Sequence, residues 1–201
     1  VLKFHINKGF SLKSWHRAIE QLQKYNLRIK TYLMFKPPFM SEKDALEHGV
    51  RWIKDVAERS DEISVNPMNI QRGTIIDRLH RHNEYRPPWL WSLVEMIKQA
   101  HPYIYPEGGV NGSPDQVCRL IVHPTAGGKI RGAHNCGTCD KFVVAAIERY
   151  AVSGDLREFE GLTCECQNVW RAELELESDL PLPLGISQPR RGNRVENLRS
   201  L

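Results

Sequence analysis

Four of the five cysteines in this 201-residue chain fall in two tight pairs, Cys136-X-X-Cys139 and Cys164-X-Cys166, separated by 24 residues. That interval is long enough for a helix that returns the chain to its start. Four thiolates gathered in this way suit a tetrahedral ion such as zinc, whose Zn–S bonds are near 2.3 Å. The usual pattern repeats Cys-X-X-Cys, so the Cys-X-Cys partner leaves a redox pair, an iron–sulfur site and metal-free cysteines open beside structural zinc. His134 and Asp140 flank the first pair and are alternative ligands. Cys118, on an alternating stretch with Leu120 and Val122, reads as a small buried hydrophobe.

Three further stretches carry polar chemistry. In "FKPPF", Lys36 leaves an apolar run into a stiff Pro37-Pro38 turn. In "VNPMNIQRGT", Asn66, Asn69, Gln71 and Arg72 offer amide and guanidinium groups just ahead of Gly73 and Thr74, which open a helix. Amides orient polar substrate groups, and an arginine clamps a carboxylate or phosphate. The bland alternative is a solvated polar loop. In "NEYRPPWLWSL", Tyr85, Trp89 and Trp91 form either a stacking platform for bases with Arg86 on phosphate, or core beneath a helix start.

The periodicity says what must position these groups. Leu12, Trp15, Ile19 and Leu22 make a helical stripe over 12–25, capped by Ser11 and ended by Asn26. "LRIKTYLMF", 27–35, alternates as a strand and stops at the prolines. Ser41 and Asp44 open a helix to about Arg59, "EISVN" at 62–66 is a second strand, and helices follow from Thr74 to His82 and from Pro88 to His101. This alternation predicts parallel βα units, in which ligands gather at the carboxyl ends of strands. A Pro/Gly-rich loop then leads to a smaller module with a strand in "QVCRLIVHP" and helices at "CDKFVVAAIERYAVS" and "CECQNVWRAELELE".

Composition sets wider bounds. With 41% apolar and 26% charged residues the chain reads as globular, and its net charge of +4 is mild. No apolar stretch approaches the roughly 20 residues of a membrane span, so no membrane partner and a cytoplasmic location are expected. The tail beyond Leu182 holds Arg190, Arg191, Arg194 and Arg199 against Glu196, either a flexible end or a contact to RNA phosphates.

Taken together, "INKGFS", "RIKTYLMFKPPFMSEKDAL", "ISVNPMNIQRGT", "YRPPWLWSLVE", "GAHNCGTCD" and "FEGLTCEC" resemble the radical S-adenosylmethionine (SAM) proteins of archaeosine biosynthesis, archaeal relatives of the catalytic subunit of Elongator. The resemblance runs over roughly residues 4–176. It implies a partial βα barrel holding a 4Fe-4S cluster and SAM, followed by a small C-terminal domain. It also implies a lyase that works with an archaeosine synthase on tRNA. The synthase attaches lysine to 7-cyano-7-deazaguanine, and the radical enzyme cleaves the lysine carbon–nitrogen bond after a 5'-deoxyadenosyl radical abstracts a hydrogen.

The family's cluster motif, Cys-X3-Cys-X2-Cys, is absent from the 201 residues. The expectation is therefore an α/β chain forming the C-terminal part of such a barrel over 1–105, a small α+β cysteine-containing, zinc-binding domain over 106–178, and a basic tail over 179–201, inactive alone. Lys36, Asn66, Asn69, Gln71, Arg72 and Thr74 are expected on the SAM or substrate side, with Arg86 toward tRNA. The competing expectations are another Elongator-like tRNA-modifying enzyme and a non-catalytic zinc module that binds RNA.

Overall fold

A computed structural model of the chain describes residues 9–106 and 118–179. The Pro/Gly-rich stretch over 107–117 and the basic tail over 180–201 lie outside the described residues.

Helix α1, Leu12–Lys24, starts where the Ser11 hydroxyl accepts from the Ser14 N–H, and Asn26 follows it at φ 53°, in the left-handed region asparagine tolerates. Strand β1 occupies Lys30–Phe35, shorter than the alternation suggests. The lead-in is diverted because the Ile29 N–H donates to the Asp61 carboxylate at 2.6 Å. Helix α2, Glu42–Ala57, is capped by Ser41 on the Asp44 N–H at 3.0 Å, as the spacing predicts. Strand β2 covers Glu62–Pro67, helix α3 Ile75–Arg81 and helix α4 Leu90–Ile104. Helix α4 runs three residues beyond the expected end at His101, with Pro102 inside its final turn. Strand β3 is Arg119–Val122, helix α5 Asp140–Ser153 and helix α6 Cys166–Asp179. A single 3-10 turn, Leu156–Phe159, lies between the last two helices.

The strands form one sheet in the order β1-β2-β3, all parallel, with Lys30 opposite Glu62 and Glu62 opposite Arg119. β3, placed by the sequence in the small module, thus joins the sheet of the preceding βα units. The sheet is open, with β1 and β3 at its edges, and the barrel implied by the resemblance is not seen among the described residues.

Alternation divides the sheet. Phe35, Ile63, Val65, Leu120 and Val122 join a core with Ile53 and Val56 of α2, Leu93 and Ile97 of α4, and Val143 and Ile147 of α5. The other face carries Tyr32, Met34, Ser64 and Asn66, with Tyr32 65% exposed.

Helices α2 and α4 approach closely because Gly49 has no side chain; a Cβ there would lie 2.9 Å from the Met96 sulfur and 3.1 Å from the Phe35 ring. Both neighbours are buried, so neither has room to withdraw. Gly49→Val is expected to lower unfolding free energy by about 1–3 kcal/mol through overpacking, read as a reduced urea midpoint with unchanged slope.

Candidate metal centre

Helices α5 and α6 bring the two cysteine pairs together. Cys139 is the residue before α5 and Cys166 the first of α6, while Cys136 and Cys164 sit in the preceding loops. The sulfurs of Cys136 and Cys139 are 3.9 Å apart, those of Cys136 and Cys164 3.7 Å, and those of Cys139 and Cys166 3.6 Å. All four lie within 4.8 Å of one another, and no pair is a disulfide.

This geometry fits one ion. Tetrahedral ligands at 2.3 Å stand about 3.8 Å apart, which three of the sulfur pairs match while all four sulfurs stay within 4.8 Å. A four-iron cluster places each thiolate on a different iron and needs a wider frame, so these cysteines do not fit the cluster that the resemblance implies. His134 and Asp140 are not ligands in this group. The His134 ring lies 2.8 Å from the Gly132 carbonyl, and the Asp140 carboxylate accepts from the Asn135 N–H at 2.9 Å.

Groups around the sulfurs suit thiolates. The Trp91 indole N–H donates to Cys166 at 3.2 Å and the Asn135 amide donates to Cys139 at 3.3 Å. The N–H groups of Cys139 and Thr138 pull the Cys136 thiol down to about 6, whereas burial pushes the Cys139 and Cys166 thiols up. An ion would remove the conflict by deprotonating all four. Cys118 is 2% exposed, its thiol pushed up to about 12 by burial, in keeping with the buried role expected of it.

The strand-end residues divide into two groups. Lys36 and Asn66 line a cleft of about 160 Å3 along β1, together with Trp15, Met34, Phe35 and His48. Lys36 is not free there: it is 5% exposed, and its ammonium meets the Glu42 carboxylate at 2.5 Å. Its backbone, at φ 52°, is held by the Tyr85 hydroxyl, which donates to the Lys36 carbonyl at 2.8 Å. Asn69, Gln71, Arg72 and Thr74 stand apart from the cleft's lining. Gln71 donates to Asn69 at 2.6 Å, Arg72 is exposed, and Thr74 caps α3.

Arg86 stacks on the Trp89 ring at 3.8 Å and donates to the carbonyls of Pro87 and His134, both at 3.0 Å. Tyr85, Trp89 and Trp91 are at most 7% exposed, so the aromatic stretch is core and offers no open platform for bases.

Sequence reading missed Glu42, Asn135, Glu173 and Glu177. Glu42 is fully buried and also accepts from the Trp89 N–H at 2.9 Å. The Asn135 side-chain oxygen accepts from the Trp91 N–H at 3.3 Å, so it caps α4 while its amide faces the metal group. On α6, Glu173 accepts from the Trp89 indole at 2.8 Å, and Glu177 accepts from the N–H groups of Glu42 and Lys43 at 3.1 and 2.8 Å. Only the Ser41-like caps had a local signal; the bonds of Glu42 to Trp89, Asn135 to Trp91, Glu173 to Trp89 and Glu177 to the start of α2 join elements far apart in sequence.

The fold and site together define a parallel α/β chain with a four-cysteine group that could hold a metal ion, placed in the loops beyond the carboxyl end of its sheet. Over 175 residues, 86% of the chain, it is 37% identical to a Methanosarcina acetivorans protein named archaeosine synthase subunit beta, covering 46% of that relative. It is 36% identical over 176 residues to the Thermococcus kodakarensis protein of the same name, covering 87% of the chain and 51% of the relative. An uncharacterized protein of Methanocaldococcus jannaschii is 34% identical over 184 residues, 90% of the chain and 47% of the relative. The chain therefore spans about half the length of the curated relatives it matches. No family model matches it, and no solved structure does.

Two outcomes check this geometry. Cys139→Ser is expected to reduce bound metal from about one ion per chain to none by elemental analysis, while Cys118→Ser keeps it. Glu42→Gln leaves the buried Lys36 ammonium without a counter-charge and is expected to cost about 3–5 kcal/mol in urea unfolding.

Proposed function

We propose that the chain is part of an enzyme of archaeosine formation that acts on tRNA together with a synthase subunit. The observation that carries this reading is the 37% identity across 86% of the chain to a protein named archaeosine synthase subunit beta. The word "subunit" in that name supports a multi-component enzyme, and the motif resemblance supplies the finer reading: a radical SAM lyase that converts the lysine adduct of the modified base to archaeosine.

On this reading the two cofactors belong to sequence that this chain does not contain. Its four gathered cysteines have the sulfur spacing of one tetrahedral ion, for which zinc is the fitting choice, being redox-silent and closed by four thiolates. A 4Fe-4S cluster with SAM would supply the hydrogen abstraction. The residues here do other work: Glu42, Glu173 and Glu177 fix the strand-end loop, Lys36 with its buried partner shapes the cleft floor, and Asn66 presents an amide to it. The zinc module holds that wall rigid, which supports the exclusion of water that radical chemistry requires.

Co-expression of the full-length protein with its synthase in a host lacking archaeosine, followed by nucleoside analysis of the tRNA, tests the reading. Archaeosine is the expected product, and persistence of the lysine adduct would reject the lyase. With Cys139→Ser the yield is expected to fall at least tenfold, through loss of the ordered wall rather than of a reacting group.

A further inference from the structure

Two segments at the carboxyl end of the sheet concentrate positive charge. Residues 71–82, following β2, carry Arg72, Arg78 and Arg81 with His80 and His82 against a single acid, Asp77. Residues 123–135, following β3, carry Lys129 and Arg131 with no acid at all. The fold joins them. The Ile70 N–H donates to the Arg131 carbonyl at 2.7 Å, and the Arg131 side chain donates to the Ile70 carbonyl at 3.1 Å and to Asp77 at 2.7 Å.

Asp77 is the reason the charges stay on the surface together. It is 3% exposed, accepts from the Gly73 N–H at 3.0 Å, and meets Arg81 at 3.3 Å as well as Arg131. The Gly73 N–H and Arg131 hold its carboxyl below the usual range. One buried negative charge thereby anchors two arginines whose side chains remain 64% and 40% exposed. Helix α3 is pinned beneath by Ile76, in a satellite cluster with Ile70 and Tyr85. Around this anchor Arg72, Arg78 and Lys129 are exposed, with no acid partner among the described residues.

We infer that Arg72, Arg78, Arg81, Lys129 and Arg131 form a surface that binds the phosphate backbone of an RNA. A cluster of cations whose one intervening acid, Asp77, is buried beneath them matches a polyanion whose charges are closely spaced. A protein partner would match a mixed rim of both signs better. The surface follows the carboxyl ends of β2 and β3, and the loop bearing Lys129 runs on to the candidate metal centre through His134 and Asn135, whose amide donates to Cys139. The cysteine module thus positions two of the five cations, Lys129 and Arg131. This inference rests on the tRNA reading above and says which surface holds the tRNA, a role the sequence had offered to Arg86.

The test is binding of unmodified tRNA transcript to the full-length protein by anisotropy over a range of KCl. Arg78→Gln with Lys129→Gln, neither of which has an acid partner among the described residues, is expected to weaken binding about tenfold at near-physiological salt and to flatten the salt slope by about two. Lys24→Gln with Arg28→Gln, at the opposite pole before β1, is expected to change neither. An unchanged slope in the first pair, or an equal loss in the second, overturns the surface while leaving the tRNA reading intact. A wild-type protein that binds no tRNA overturns both. Loss of synthase binding with tRNA binding retained would assign the surface to a protein and overturn the RNA assignment.

Discussion

The carboxylate of Glu42, with no exposure to solvent, is the constraint on which the strand-end architecture depends. One oxygen receives the Lys36 ammonium and the other the Trp89 N–H, so the end of β1 and the start of α4 are tied to the first turn of α2. A buried ion pair gains little net stability, because desolvating both charges offsets most of their attraction. Its effect is on geometry: with every acceptor site satisfied, the loop has one arrangement, and Lys36 can be held at positive φ by Tyr85. The absence of unsatisfied buried side-chain polar atoms among the described residues agrees with such a closed network.

This network reaches the cysteines by two routes. Asn135 bonds both Cys139 and the first turn of α4, and α6 runs from Cys166 to Glu173 and Glu177, which meet Trp89 and the start of α2. An ion that fixes Cys166 relative to Cys139 therefore fixes the direction of α6. The direction of α6 in turn decides whether Glu177 can cap α2, some 135 residues earlier in the chain. The cysteine group is thus remote from the cleft yet mechanically continuous with it.

What was legible in the sequence follows from range. Ser11 and Ser41 accept from the N–H three residues downstream, and both caps were readable because both partners sit in one short window; Thr74, expected on the SAM or substrate side, caps α3 in the same way. Helix α4 begins at Trp89 with no side-chain cap of its own; Asn135 and Glu42 serve it from other elements, and no local pattern encodes that. The cysteine pairs were readable as a group because a helix-length interval between them brings both to one end, while the choice among metal, cluster and redox uses needed the sulfur distances. Arg86 and Lys36 were given to ligands because a charged residue beside prolines looks exposed. Both instead have internal partners, Lys36 an acid and Arg86 two backbone carbonyls and an indole ring. The third strand was misplaced for a different reason: a four-residue strand carries too little pattern to announce which sheet it joins.

The charge arithmetic separates anchoring arginines from free ones. Arg86 and Arg131 both donate to backbone carbonyls, but Arg86 is enclosed by Trp89 while Arg131 keeps 40% of its side chain in solvent. Burial lowers the affinity of the Arg86 guanidinium for its proton, a sign that its charge is tolerated rather than displayed. Asp77 does the reverse for its two arginines, neutralising part of their repulsion from below while leaving their outer edges to solvent. A surface that must hold a polyanion needs cations close together, and cations close together repel. A buried carboxylate beneath them, itself fixed by the Gly73 N–H, is the cheapest way for a fold to keep such a cluster in place without presenting a negative charge to the ligand.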